Sequence, residues 1–102
     1  MEIKYKKSNN KMTFYFDGEL DEYSASGVKN ILDKLINDNC NVNNVEFDLS
    51  DVSFMDSTGV GLLIGRYKKL KQYNIPSYIT GASVTAEKVL TLSGIYGIMP
   101  KR

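Results

Sequence analysis

The hydrophobic rhythm of this chain changes period near residue 25, and that change limits the folds open to it. Lys11 to Phe16 alternates, with Met12, Phe14 and Phe16 on one side and Lys11, Thr13 and Tyr15 on the other. Glu2 to Lys7 also alternates, placing Ile3 and Tyr5 together, and Ser8-Asn9-Asn10 between the two runs is a turn signal. Two alternating runs joined by a short polar turn predict a β-hairpin, with Asp17-Gly18 ending its second strand. From Ala25 the period is helical. Ala25, Val28, Ile31, Leu32, Leu35 and Ile36 recur at steps of three and four, the spacing of one buried helix face. Ser24 is placed to cap this helix, and Asp21 or Glu22 could start it earlier.

Strands and helices then alternate. The Asn-rich stretch 37–44 reads as a loop. Val45 to Leu49 reads as a strand, Ser50-Asp51 as a turn, and Val52 to Met55 as a further extended stretch. Asp56-Ser57-Thr58-Gly59 opens a second helix that runs to about Tyr73, where Asn74-Ile75-Pro76 breaks it. Tyr78-Ile79-Thr80 is a strand ended by Gly81. Thr85 to Leu92 is a third helix, with Val84, Val89, Leu90 and Leu92 as apolar anchors and Gly94 as its C′ residue. Ile95 to Met99 supplies a last strand. The order β-β-α-β-α-β-α-β implies an α/β fold, a mixed sheet of about five strands whose later members are parallel.

At 102 residues the chain has room for one domain, expected to span residues 1–102. Thirteen Lys and Arg stand against 12 Asp and Glu, a net charge of +1, which gives no electrostatic reason to expect nucleic acid or an anionic membrane as partner. Cys40 is the only cysteine, so no internal disulfide can form, and the start of the chain has no apolar signal-peptide core. The expected location is the cytoplasm. The chain has no histidine. A Ser-His-Asp or Cys-His nucleophile therefore cannot be assembled from it, and a structural zinc site is implausible. No cofactor is expected, and binding is favoured over catalysis.

The second helix carries unusual residues. Val60, Leu63, Ile64, Tyr67 and Leu70 form its apolar stripe, and Gly61, Gly65 and Leu62 project to the other side. Glycines in a helix interior cost roughly 1 kcal/mol each relative to alanine. They could simply ease packing against a neighbouring loop. Because the anomalies share one face, the favoured reading is a partner surface with Leu62 as its apolar contact. Ser57 stands where this helix begins, and capping alone could explain it, although Asp56 or Thr58 could cap equally well. A phosphate there would be favoured by the free N–H groups and the helix dipole. Gly59-Val60-Gly61 is a poor match to a nucleotide loop, since the third glycine falls at Gly65 and no Gly-Lys follows.

The stretch from Phe47 to Lys68, centred on Asp56-Ser57-Thr58-Gly59, closely resembles the STAS domain of anti-sigma-factor antagonists, most nearly the anti-sigma-F branch. Gly18-Glu19-Leu20-Asp21 and Leu92-Ser93-Gly94-Ile95 match further signatures, so that the likeness covers nearly the whole chain. The resemblance implies a small mixed sheet with helices packed against it. It implies binding to an anti-sigma factor that is also a serine kinase, which frees the sigma factor and so regulates transcription in sporulation. Phosphorylation of Ser57 would switch binding off, and a serine phosphatase would restore it. Asp21 and Asp56 match acidic positions near that serine, and Gly59, Val60, Gly61 and Leu62 fall in the partner-contacting region. With Thr58 and Gly65 these residues form the candidate binding set, on a protein expected to be a monomer when free. Family members commonly carry a further C-terminal helix, whereas this chain stops at Lys101-Arg102. The alternatives are an antagonist or scaffold of another pathway, such as the general stress response, and a nucleotide-binding protein.

Overall fold

Asn9 and Asn10 adopt φ values of 54° and 61°, the two successive left-handed residues that a type I′ turn requires. In the computed structural model, which describes residues 1–102, they join β1 (Glu2–Ser8) to β2 (Lys11–Leu20) as the expected hairpin. β3 (Asn44–Met55) and β4 (Ser77–Thr80) add in parallel, giving a four-stranded sheet in the order β1-β2-β3-β4. Register places Phe14 opposite Phe47 and Phe47 opposite Ile79. The two phenyl rings stack at 5.6 Å. Helices α1 (Ala25–Asp38), α2 (Ser57–Gln72) and α3 (Val84–Ser93) bury this face beneath one continuous core of 23 residues. Tyr15, Glu46, Asp48 and Tyr78 lie on the opposite face, exposed or half-buried.

Ser50-Asp51 is not a turn: β3 runs through it. From Tyr15 to Asp17 the partners advance from Asp48 to Asp51, three residues against two, and from Gly18 to Glu19 they advance from Val52 to Phe54, two against one. Each step inserts one extra residue in β3. These bulges bury Leu49, Val52 and Met55 at three-residue spacing, which breaks the alternation expected of a strand. β2 likewise continues past Asp17-Gly18 to Leu20, with Gly18 at φ +123° beside the irregularity.

The expected strand at Ile95–Met99 is a single 3-10 turn, Ile95–Gly97, following Gly94, which takes the left-handed conformation at φ 75°. Pairing resumes only at Lys101, as an isolated parallel bridge to Ile79. Two anchors assigned to α3 are also displaced. Val84 and Leu92 are 79% and 89% exposed, and Ala86 and Leu90 are the buried residues. Val84 and Leu92 are each two positions from a buried residue, about 200° around the helix.

Leu62 corrects the sequence reading most directly. It is 8% exposed and belongs to the core. The stripe drawn from apolar residues alone omitted Arg66, which is buried beside an α1 carboxylate, with Nε 3.0 Å from Asp33 Oδ1. Including Arg66 rotates the buried arc of α2 by about 60° and takes in Leu62 at one edge and Val60 at the other. On α1, by contrast, Ile31 is 46% exposed although its helical spacing places it on the core face.

Within α3, Glu87 accepts from Tyr96 Oη at 2.7 Å and pairs with Lys101 Nζ at 2.6 Å, both from the segment that follows the helix. The Lys101 hydrogen bond, followed by the Tyr96 one, holds its carboxyl below the usual range. The network favours the ionised form. Its contribution is present above the unfolded-state pKa and is lost as pH falls through the folded value. In thermal melts Glu87→Gln should therefore lower stability at neutral pH and narrow its gap to the wild type in acid. Leu62→Ala should cost roughly 2–5 kcal/mol of folding stability, as truncation of a buried leucine does. Ile31→Ala should cost about 0.5 kcal/mol or less. Chemical denaturation of both variants checks the burial.

Candidate functional site

The site is built where β2 and β3 end and α2 begins. Asp56 is the N-cap residue of α2, in extended conformation, and its Oδ1 accepts the N–H groups of Thr58 (3.0 Å) and Gly59 (3.2 Å). Capping is therefore done by Asp56. Ser57, the first helical residue, is exposed, and its hydroxyl makes no hydrogen bond within the chain. A phosphate on that oxygen would sit at the positive end of the α2 dipole without displacing a structural contact.

Asp21 has a second local task. Its Oδ1 accepts from Tyr23 N and Ser24 N, both at 3.0 Å, and so holds the turn that leads into α1. Ser24, the N-cap residue by position, makes no capping bond; its hydroxyl donates to the Glu19 carbonyl at 2.9 Å. Asp21 and Asp56 face a common hollow of about 360 Å³, with Glu19, Glu22, Tyr23 and Phe54 completing its wall. Two aromatic side chains thus lie exposed beside four carboxylates. The sequence reading had not singled out Tyr23 or Phe54. Phe54 emerges on this surface because the second bulge of β3 turns it out of the core between buried Val52 and Met55.

The glycines divide by role. A Cβ on Gly59 would meet the Leu20 carbonyl oxygen at 2.9 Å and the Leu20 side chain at 3.1 Å. Gly59 is buried because the first turn of α2 sits against the end of β2, and it presents no surface. Gly61 and Gly65 have nothing within 4 Å of the Cβ position. No neighbouring loop needs them to be small, which removes the packing explanation. With Thr58, Leu62 and Arg66 they line a groove between α1 and α2, where Leu62 is largely covered. Of the binding set drawn from sequence, Asp21, Asp56, Ser57, Thr58, Gly61 and Gly65 are at least partly accessible, and Gly59, Val60 and Leu62 are buried.

Gly59→Ala should destabilise the fold, since backbone oxygen stands where its methyl would go, whereas Gly61→Ala should stabilise it by up to about 1 kcal/mol through helix propensity. Asp56→Ala should cost roughly 0.5–2 kcal/mol with the loss of the cap. Equilibrium unfolding of the three variants tests the division of roles.

Residues 2–101 match the family described as the STAS domain. The chain is 33% identical over 82 residues to the anti-sigma-B factor antagonist of Staphylococcus aureus (strain NCTC 8325 / PS 47), which covers 80% of this chain and 74% of that one. It is 30% identical over 83 residues to the anti-sigma F factor antagonist of Paenibacillus polymyxa, covering 81% and 70% respectively. Among solved structures it superimposes on the anti-sigma factor antagonist SpoIIAA in its unphosphorylated form with a TM-score of 0.81. That alignment has 24% identity and covers 99% of this chain and 88% of that one. The sheet with helices on one face, the strand-to-helix turn at Asp56-Ser57-Thr58-Gly59 and the match over nearly the whole length agree: the chain belongs to the STAS domain family.

Proposed function

We propose that this protein is an anti-sigma factor antagonist, a binding protein and not an enzyme, whose switch is phosphorylation at Ser57. The observation that carries the reading is the separation of duties at the start of α2. Asp56 caps the helix, and the adjacent Ser57 hydroxyl is exposed and uncommitted. The partner is an anti-sigma factor with serine kinase activity, and a serine phosphatase resets the switch. In the unphosphorylated form the surface around Ser57, with Asp21, Asp56, Thr58 and Gly61, docks the partner and so frees the sigma factor. Phosphate adds about −1.5 to −2 charges to a surface that already carries Glu19, Asp21, Glu22 and Asp56. A partner fitted to the uncharged hydroxyl is then repelled.

Two pathways fit the family. Regulation of sporulation follows from the resemblance to the anti-sigma-F branch, and the P. polymyxa relative supports it. The general stress response is the second reading, favoured by the S. aureus anti-sigma-B relative. Incubation with an anti-sigma-F or an anti-sigma-B kinase of the source organism separates them, because only the cognate kinase should transfer phosphate.

Phosphopeptide mass spectrometry after incubation with kinase and ATP should find a single phosphate, on Ser57. Phosphate on Thr58, or none with either kinase, contradicts the assignment. Ser57→Asp should weaken binding to the anti-sigma factor roughly tenfold or more, about 1.4 kcal/mol or above, and leave the melting temperature nearly unchanged. Ser57→Ala should bind and stay bound when ATP is added. Calorimetry showing Ser57→Asp to bind as tightly as the wild type would remove the electrostatic basis of the switch.

A further inference from the structure

We infer that the open face of the sheet carries an anion site, a hollow over Thr13 that takes a phosphate or phosphomonoester group between Lys6 and Lys11. The hollow has a volume of about 380 Å³, with Lys6, Lys11, Thr13, Tyr15 and Asn44 on its lining and the β1-β2 turn at one end. It lies on the side of the sheet away from the helices. Lys11 and Asn44 are the first residues of β2 and β3, whereas Ser57 follows the far end of β3. The inference is therefore independent of the switch proposed at Ser57.

Strand register builds the site. Thr13 stands directly opposite Lys6 on β1, and Lys11 is two positions before Thr13 on the same face of β2. Residues in that diagonal relation are within reach of each other's long side chains. Two ammonium groups thus converge over one residue and repel each other. Lys6 has no ion pair. Lys11 has a single one, to Glu46 at 3.5 Å, and that carboxylate is shared with Arg102 at 3.3 Å. Glu46 is the residue opposite Thr13 on β3. The next carboxylate along β3, Asp48, stands opposite Tyr15 and accepts from the Ser50 amide and hydroxyl. Around the hollow, then, three cations face one carboxylate that is already shared. The second observation is Thr13 itself. It is 7% exposed although it lies on the open face, and its hydroxyl is neither hydrogen-bonded within the chain nor sealed from solvent. A polar group so nearly covered is costly to leave without a partner. Asn44 Oδ1 accepts from Arg102 Nη1 at 3.0 Å, which leaves its amide NH2 free to donate, and the Tyr15 hydroxyl is uncommitted. The lining therefore offers cations and neutral donors and no carboxylate. A tetrahedral oxyanion accepts from several directions at once, and lysine serves phosphate as a point charge. A hollow of this size admits a phosphate with a short organic group attached.

The test is an amide NMR titration of the full chain with inorganic phosphate and with glycerol phosphate, each against sodium chloride at equal ionic strength. The phosphates should give saturable shifts at Lys6, Lys11, Thr13 and Tyr15 that chloride does not reproduce. A lower midpoint for glycerol phosphate assigns the site to phosphomonoesters, and a lower midpoint for inorganic phosphate assigns it to the free anion. Lys6→Gln, on an exposed strand, should raise the midpoint about fivefold. Thr13→Val, which keeps the shape and removes the hydroxyl, should raise it about threefold. Melting temperatures without ligand should hold in both variants. Shifts that grow without saturation, that chloride reproduces, that centre on the start of α2, or that Lys6→Gln leaves unchanged overturn the site.

Discussion

The start of α2 depends on a contact that only glycine permits. At Gly59 the helix backbone comes so close to the end of β2 that a methyl group would stand 2.9 Å from the Leu20 carbonyl oxygen. That approach seats the first turn of α2 directly on the ends of two parallel strands. Asp56, the first residue after β3, is then in position to accept the N–H groups of Thr58 and Gly59. Between cap and seat, Ser57 faces outward. The arrangement satisfies the helix end with one side chain and leaves the neighbouring hydroxyl without a structural duty. A group freed in this way can be modified without dismantling what holds it.

Much of this was legible in the sequence because it rests on local rules. The hairpin followed from alternation and the Asn9-Asn10 pair, and the three helices from their period and breakers. The turn at Asp56-Ser57-Thr58-Gly59 followed from capping chemistry and a family likeness. What was not legible depends on tertiary context. The bulges of β3 made a continuous strand look like two pieces around Ser50-Asp51, since its buried residues fall three apart. Ile95 to Met99 is apolar enough for a strand, but Gly94 in the left-handed region turns the chain into a 3-10 turn instead. The apolar pattern alone misplaces Leu62, because it leaves out a charged residue that is buried. Arg66 is buried beside Asp33, and no single-helix pattern announces a partner 33 positions earlier in the chain.

The exposed half of the site follows from the same geometry. β2 and β3 end together and bring Glu19, with Asp21 just past the first strand, and Phe54, with Asp56 just past the second, to a single hollow. The resulting surface combines aromatic faces with carboxylates beside an uncharged hydroxyl. On the proposed reading, a phosphate on Ser57 would change the charge of this surface greatly and its shape little, because a helix N-terminus accommodates an anion. The proposed switch would then be a change of surface chemistry on a fixed scaffold.

That claim is open to one direct measurement: amide and methyl NMR spectra of the chain with and without phosphate on Ser57, each titrated with the anti-sigma factor. The account predicts shift changes confined to the residues around the start of α2, unmoved methyl resonances for Leu63, Leu70 and Ile79, and loss of partner binding only in the phosphorylated form. Shifts spread through the core methyls, or unimpaired binding by the phosphorylated chain, would contradict it.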